Sequence, residues 1–127
     1  MGQFSILGFI ALGGAIGACS RYLVSEFCVL LFGRGFPYGT LTVNVVGSFI
    51  MGLLIAAFES EILVTEPWRQ VIGLGFLGAL TTFSTFSMDN VLLMQQGAFF
   101  KMGLNILLNV VLSISAAWIG FQLLMRS

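Results

Sequence analysis

Histidine is absent from this sequence, and charge is scarce: five Lys and Arg against five Asp and Glu, 8% of 127 residues. A typical soluble domain carries about 25% charged residues. The missing histidine argues against ordinary zinc sites and against His-based acid–base catalysis. The even charge balance leaves no basic patch, which excludes nucleic acid as a partner. No nucleophile–base pair or metal-ligand cluster stands out, so an enzyme is not expected. Cysteine is limited to Cys19 and Cys28. They fall nine positions apart within one apolar segment, too far along a helix to bridge, so both are read as small hydrophobes.

What the sequence has in quantity is apolar surface. Hydrophobic residues make up 58%, and mean hydropathy is +1.06. That excludes a soluble globular domain. A membrane helix needs about 20 mostly apolar residues to cross ~30 Å of hydrocarbon. The uncharged stretches 1–20, 35–58, 70–88, 90–100 and 102–125 therefore predict four spans, at about 3–31, 38–58, 68–95 and 99–125. The expected architecture is a single all-α membrane domain over 1–127. The first segment lacks a basic leading region and is too long for a cleaved signal, so it is read as a span.

The intervening residues carry turn signals. Gly33, Gly35 and Pro37 precede the second span, and Gly97 precedes the fourth. In 59–67, Thr65 is expected to cap the third span, with Glu66 and Pro67 in its first turn. Orientation follows the side richer in Lys and Arg. Arg34 and Lys101 face one side, Arg69 and Arg126 the other, so the count is even. A chain without bias inserts both ways, and opposite copies can pair as an antiparallel dimer; an ordinary but weak bias is the plainer alternative. Gly13 and Gly17 form a small-residue pair suited to close helix packing, extended by Gly8.

Polar residues inside the spans are costly unless partnered, and they mark either interhelical clamps or a hydrophilic path. Thr40, Asn44 and Ser48 recur at every fourth position on one face of the second span. Asn105, Asn109 and Ser113 do the same in the fourth. The third holds Gly78-Ala79-Leu80-Thr81-Thr82-Phe83-Ser84-Thr85-Phe86-Ser87. Five hydroxyls fall within 81–87, just after Gly73, Gly75 and Gly78. β-Branching and hydroxyl back-bonding loosen a helix there, so a break is expected near 78–86. Irregular backbone at membrane depth survives only in protein or along a cavity, where freed carbonyls can bind a cation. Phe83 and Phe86 suit core or lipid packing. Alternatively, their positive ring edges serve as weak anion donors beside stronger hydroxyls, Ser84 among them. Arg21 is the one basic residue well inside a span. It can snorkel, attract anions at a vestibule, or lock helices together.

The runs Gly39-Thr40-Leu41-Thr42-Val43-Asn44 and 78–87, with Arg21 after a glycine-rich start, resemble the Fluc (CrcB) fluoride channels over the whole chain. The resemblance implies passive fluoride export that protects a bacterium from fluoride, in the inner membrane, by dual-topology antiparallel homodimers with two pores. It implies a structural, untransported Na⁺ at the dimer interface, held by backbone carbonyls at positions matching Gly78 and Thr81. Phe83, Phe86, Asn44, Asn109 and Ser113 match the lining of the fluoride path. Thr40, Ser84 and Arg21 join them from the reading of the spans. Fluoride is small and strongly hydrated, so Thr, Ser and Asn donors must replace its water as it passes. The alternative is a small dual-topology multidrug/proton antiporter, which needs a carboxylate near mid-membrane. Glu26 and Asp89 lie towards segment ends instead.

Overall fold

The computed structural model describes residues 2–126. Helix α1 runs Gln3–Phe32 and α2 runs Tyr38–Glu59. The third span, Arg69–Gln95, is composite. It opens as a π-helical segment, Arg69–Leu77, passes through the single turn α3 (Gly78–Leu80), breaks, and resumes as α4 (Ser84–Gln95). Helix α5 runs Phe99–Met125. Four helical segments are long and apolar enough to cross a membrane. Their ends agree with the sequence expectation to within a residue or so.

Two of the connections close with the same hydrogen-bonded motif. After α4, Gly97 takes φ 76°. Its N–H bonds the Met94 carbonyl at 3.0 Å, and that of Ala98 bonds Leu93 at 2.8 Å. This is the Schellman ending, which satisfies helix carbonyls otherwise left without donors. After α2 the pattern repeats with Glu61 in the left-handed position, φ 59°. Glu61 N–H bonds Phe58 at 3.1 Å and Ile62 N–H bonds Ala57 at 3.0 Å. Thr65 does not cap the third span through its side chain. Its backbone carbonyl accepts the Arg69 N–H at 2.7 Å, because the chain enters the helix one turn later than a side-chain cap requires.

Glycine sets how closely the spans approach. A Cβ on Gly13 would strike the Val71 carbonyl, and one on Gly17 the Phe76 carbonyl. The small-residue pair of α1 therefore lies flush on the π-helical segment of the same chain. Gly52 of α2 faces the Ala117 carbonyl of α5, and Gly120 of α5 faces the Phe49 carbonyl of α2, so those helices cross with each glycine against the other's backbone. The core between the spans is Val43, Leu54, Leu77 and Leu80, with Val24, Ile50, Phe58, Ile72 and Phe76 packed around it. Only Gly13, Gly17 and Cys28 of α1 are buried. Its Phe4, Leu7, Leu12, Leu23 and Leu30 are exposed, as suits a lipid-facing surface. Cys19 and Cys28 are both free thiols.

Candidate anion pathway

The break in the third span is where the site is built. Leu80 is the last residue of α3, and Thr81 turns extended, with φ −83° and ψ 158°. In an unbroken helix the carbonyls of Gly78, Ala79 and Thr81 would take the N–H groups of Thr82, Phe83 and Thr85. Here Thr82 N–H goes instead to Asn44 Oδ1, 2.8 Å away, and Asn44 Nδ2 returns a bond to the Thr82 carbonyl at 3.1 Å. The Thr85 N–H goes to Thr82 Oγ1 at 3.1 Å, which caps the first turn of α4. The Ala79 carbonyl is taken by Arg21 Nε at 3.0 Å. Thr81 Oγ1 folds back to Leu77 O at 2.9 Å. The Gly78 and Thr81 carbonyls have thus each lost their helical donor to another acceptor.

Arg21 spans the break. Besides the Ala79 carbonyl before it, Nη1 reaches Thr85 Oγ1 after it, at 3.4 Å. Of the three readings of this residue, the geometry matches the lock between helices. Below the break, Gly47 of α2 leaves just the room that the Thr81 methyl occupies.

Beside the break lies a cavity of about 520 Å³. Asn44 and Ser48 line it from α2, Asn109 and Ser113 from α5, and Gly78, Thr81, Thr82, Phe83 and Phe86 from the third span. No charged side chain is among its lining residues. The rings of Phe83 and Phe86 are 5.5 Å apart, tilted at 54°. Phe86 is 8% exposed and Phe83 78%, so one ring is anchored and the other reaches outward. Ser113 Oγ is buried with no hydrogen-bond partner among the described residues. A hydroxyl without a partner is costly in an apolar setting and open to a ligand.

Three of the expected site residues lie elsewhere. Thr40 lines a second cavity of about 340 Å³ nearer the start of α2, and donates to Asp89 Oδ2 at 2.8 Å. Ser84 is exposed and within 3.3 Å of Thr82 Oγ1. Arg21 lines neither cavity. The stripe of Thr40, Asn44 and Ser48 therefore runs from one cavity to the other. Asn105, fully buried, stands behind the wall that Asn109 and Ser113 form.

Sequence reasoning missed Thr82 and Asn90. Thr82 serves the break through backbone and hydroxyl, roles that nothing in a one-dimensional pattern separates from those of its neighbours. Asn90 accepts from Asn105 at 2.9 Å. Its signal was available: it is an amide inside a span, four residues on from Phe86 and so on the same face of α4.

The family described as CrcB-like protein, Camphor Resistance (CrcB), matches residues 8–121. The chain belongs to the CrcB family. Among the relatives it resembles is a protein of Vibrio parahaemolyticus serotype O3:K6 (strain RIMD 2210633), 98% identical over 127 residues and covering 100% of both chains. One from Vibrio cholerae serotype O1 (strain M66-2) is 82% identical over 98% of this chain and 99% of its own. One from Photobacterium profundum is 70% identical over the full length of both. Each of these CrcB relatives is named fluoride-specific ion channel FluC.

Proposed function

We propose that this CrcB chain is a subunit of a fluoride-selective channel that lets fluoride leave a bacterial cell down its gradient across the inner membrane. The observation that carries the reading is the uncharged wall of the larger cavity, where the unpartnered hydroxyl of Ser113 stands beside Phe83 and Phe86, and Asn44 and Asn109 are held in place by their own hydrogen bonds. An anion that sheds water needs donors, and a lining without Lys or Arg does not trap it. The names of close full-length relatives support the same ion. The cavity also lacks a carboxylate, which proton-coupled export of cationic drugs requires.

The single chain encloses its cavity only in part, since Phe83 reaches outward from it. The functional unit in this reading is an antiparallel homodimer, consistent with the even charge count of the two sides. A structural Na⁺ fits the break: the Gly78 and Thr81 carbonyls lack their helical donors, and carbonyl oxygens suit a hard cation. Among the described residues no group of three His, Cys, Asp or Glu side chains could hold a metal instead. The Gly78 and Thr81 carbonyls would hold such an ion, which would supply fixed positive charge there. Arg21 and Asn44 hold the two sides of the break in place.

The test is anion efflux from liposomes holding only the purified protein, under a potassium/valinomycin clamp. Fast fluoride efflux with negligible chloride efflux is expected. Folded protein that passes neither anion, or that exchanges protons for cations, would overturn the reading.

A further inference from the structure

Four asparagines on three helices are joined head to tail. Asn44 Nδ2 donates to Asn109 Oδ1, Asn109 Nδ2 to Asn105 Oδ1, and Asn105 Nδ2 to Asn90 Oδ1, each at 2.9 Å. The run begins at the break, where Thr82 N–H donates to Asn44 Oδ1. Every side-chain oxygen in it accepts from the group before, and the amino groups of Asn44, Asn109 and Asn105 each donate to the one after. A primary amide has one acceptor end and one donor end. Turning any member over would set donor against donor and acceptor against acceptor, so the orientation of each fixes the next.

Such a chain needs a terminal acceptor. That acceptor is Asn90 Oδ1, on α4 beyond the break. Asn90 lines neither cavity. Asn44 and Asn109, by contrast, line the larger one. Both have their amino groups fully engaged: Asn44 also bonds the Thr82 carbonyl, and Asn109 also bonds the Asn105 carbonyl at 2.9 Å. These bonds fix which way the two amides face in the cavity wall.

We propose that Asn90 is a positioning residue for the anion path: its side-chain carbonyl sets the orientation of Asn105, Asn109 and Asn44 in turn, and so holds the Thr82 end of the break. This rests on the channel reading above. Asn90 does not touch the ion. It acts through a relay that crosses from α4 to α5 to α2 and returns to the third span.

The relay predicts that effects at its two ends are not independent. The experiment measures fluoride efflux from liposomes for the parent chain, Asn90→Leu, Asn109→Ser and the double variant, each shown to be folded by size exclusion and thermal unfolding. Asn90→Leu keeps the side-chain size and removes the acceptor. It is expected to slow efflux about tenfold in the parent and less than twofold in the Asn109→Ser background, where the relay is already cut. Asn90→Ser, whose hydroxyl is too short to reach Asn105, is the second variant should the leucine variant not fold, and the same pattern is expected of it. Equal slowing in both backgrounds would mean that Asn90 only packs α4 on α5, and would overturn the proposal. So would unchanged efflux in the parent background. No fluoride efflux from the folded parent chain overturns the channel reading, and the proposal with it.

Discussion

Two residues of the pathway wall differ in what their loss should do. Ser113 offers a buried hydroxyl that the protein itself leaves unpartnered. Removing it by Ser113→Ala takes nothing from the fold and takes one donor from the ion. A hydrogen bond to a charged group is worth about 1.5–3 kcal/mol, so fluoride efflux should fall by roughly ten- to a hundredfold with thermal stability unchanged. Asn44→Ala removes the partner of the Thr82 N–H, the Thr82 carbonyl and Asn109 Oδ1 together. Each group left unsatisfied costs about 1–3 kcal/mol, so this variant should lose stability as well as flux. Thermal unfolding beside the efflux assay separates the two outcomes. Equal stability loss in both would contradict the distinction. Phe86→Ile and Phe83→Ile should each abolish or strongly slow conduction, and the buried Phe86 should also cost stability while the outward Phe83 should not.

The third span is the element on which the fold and the site meet. Its length and its break were legible from composition: glycines followed by a dense run of hydroxyls cannot keep a continuous helix, and the break falls at Thr81 as that argument requires. The lining from Asn44, Asn109 and Ser113 was also legible, since polar residues at fourfold spacing share a helix face. The π-helical winding of Arg69–Leu77 was not. Helix periods of 3.6 and of the wider form differ too little over nine residues to be read from apolar positions alone, and the form is rare. Nor was the partner of Gly13 and Gly17 legible. A small-residue pair announces close packing without saying against what, and here it is the π-helical backbone. The sorting of Thr40, Ser84 and Arg21 away from the larger cavity depended on helix rotation and on who donates to whom, which no spacing encodes. The packing makes its own prediction. Gly17→Val places a branched side chain against the Phe76 carbonyl and should destabilise the fold by about 1–3 kcal/mol or more. Gly8→Val, where the space around the glycine is open, should not. Thermal unfolding in detergent of the two variants checks the contrast.

For the whole molecule, the proposed antiparallel pair and its shared Na⁺ each make a prediction. If both breaks meet a shared Na⁺, replacing Na⁺ on both sides by a large organic cation should slow fluoride efflux, and restoring Na⁺ should recover it. Efflux indifferent to Na⁺ would remove the ion from the account and leave the freed carbonyls of Gly78 and Thr81 to water. Tagging one terminus should label both faces of the membrane in cells, and a terminus found on a single face would exclude dual insertion. In the proposed channel, fluoride crosses passively along an uncharged wall. Currents across a planar bilayer holding the purified protein test it most directly. A fluoride current is expected whose reversal potential follows the fluoride gradient, is indifferent to a pH gradient, and is unmoved by chloride. A reversal potential that shifts with pH, or a current carried equally by chloride, would contradict it.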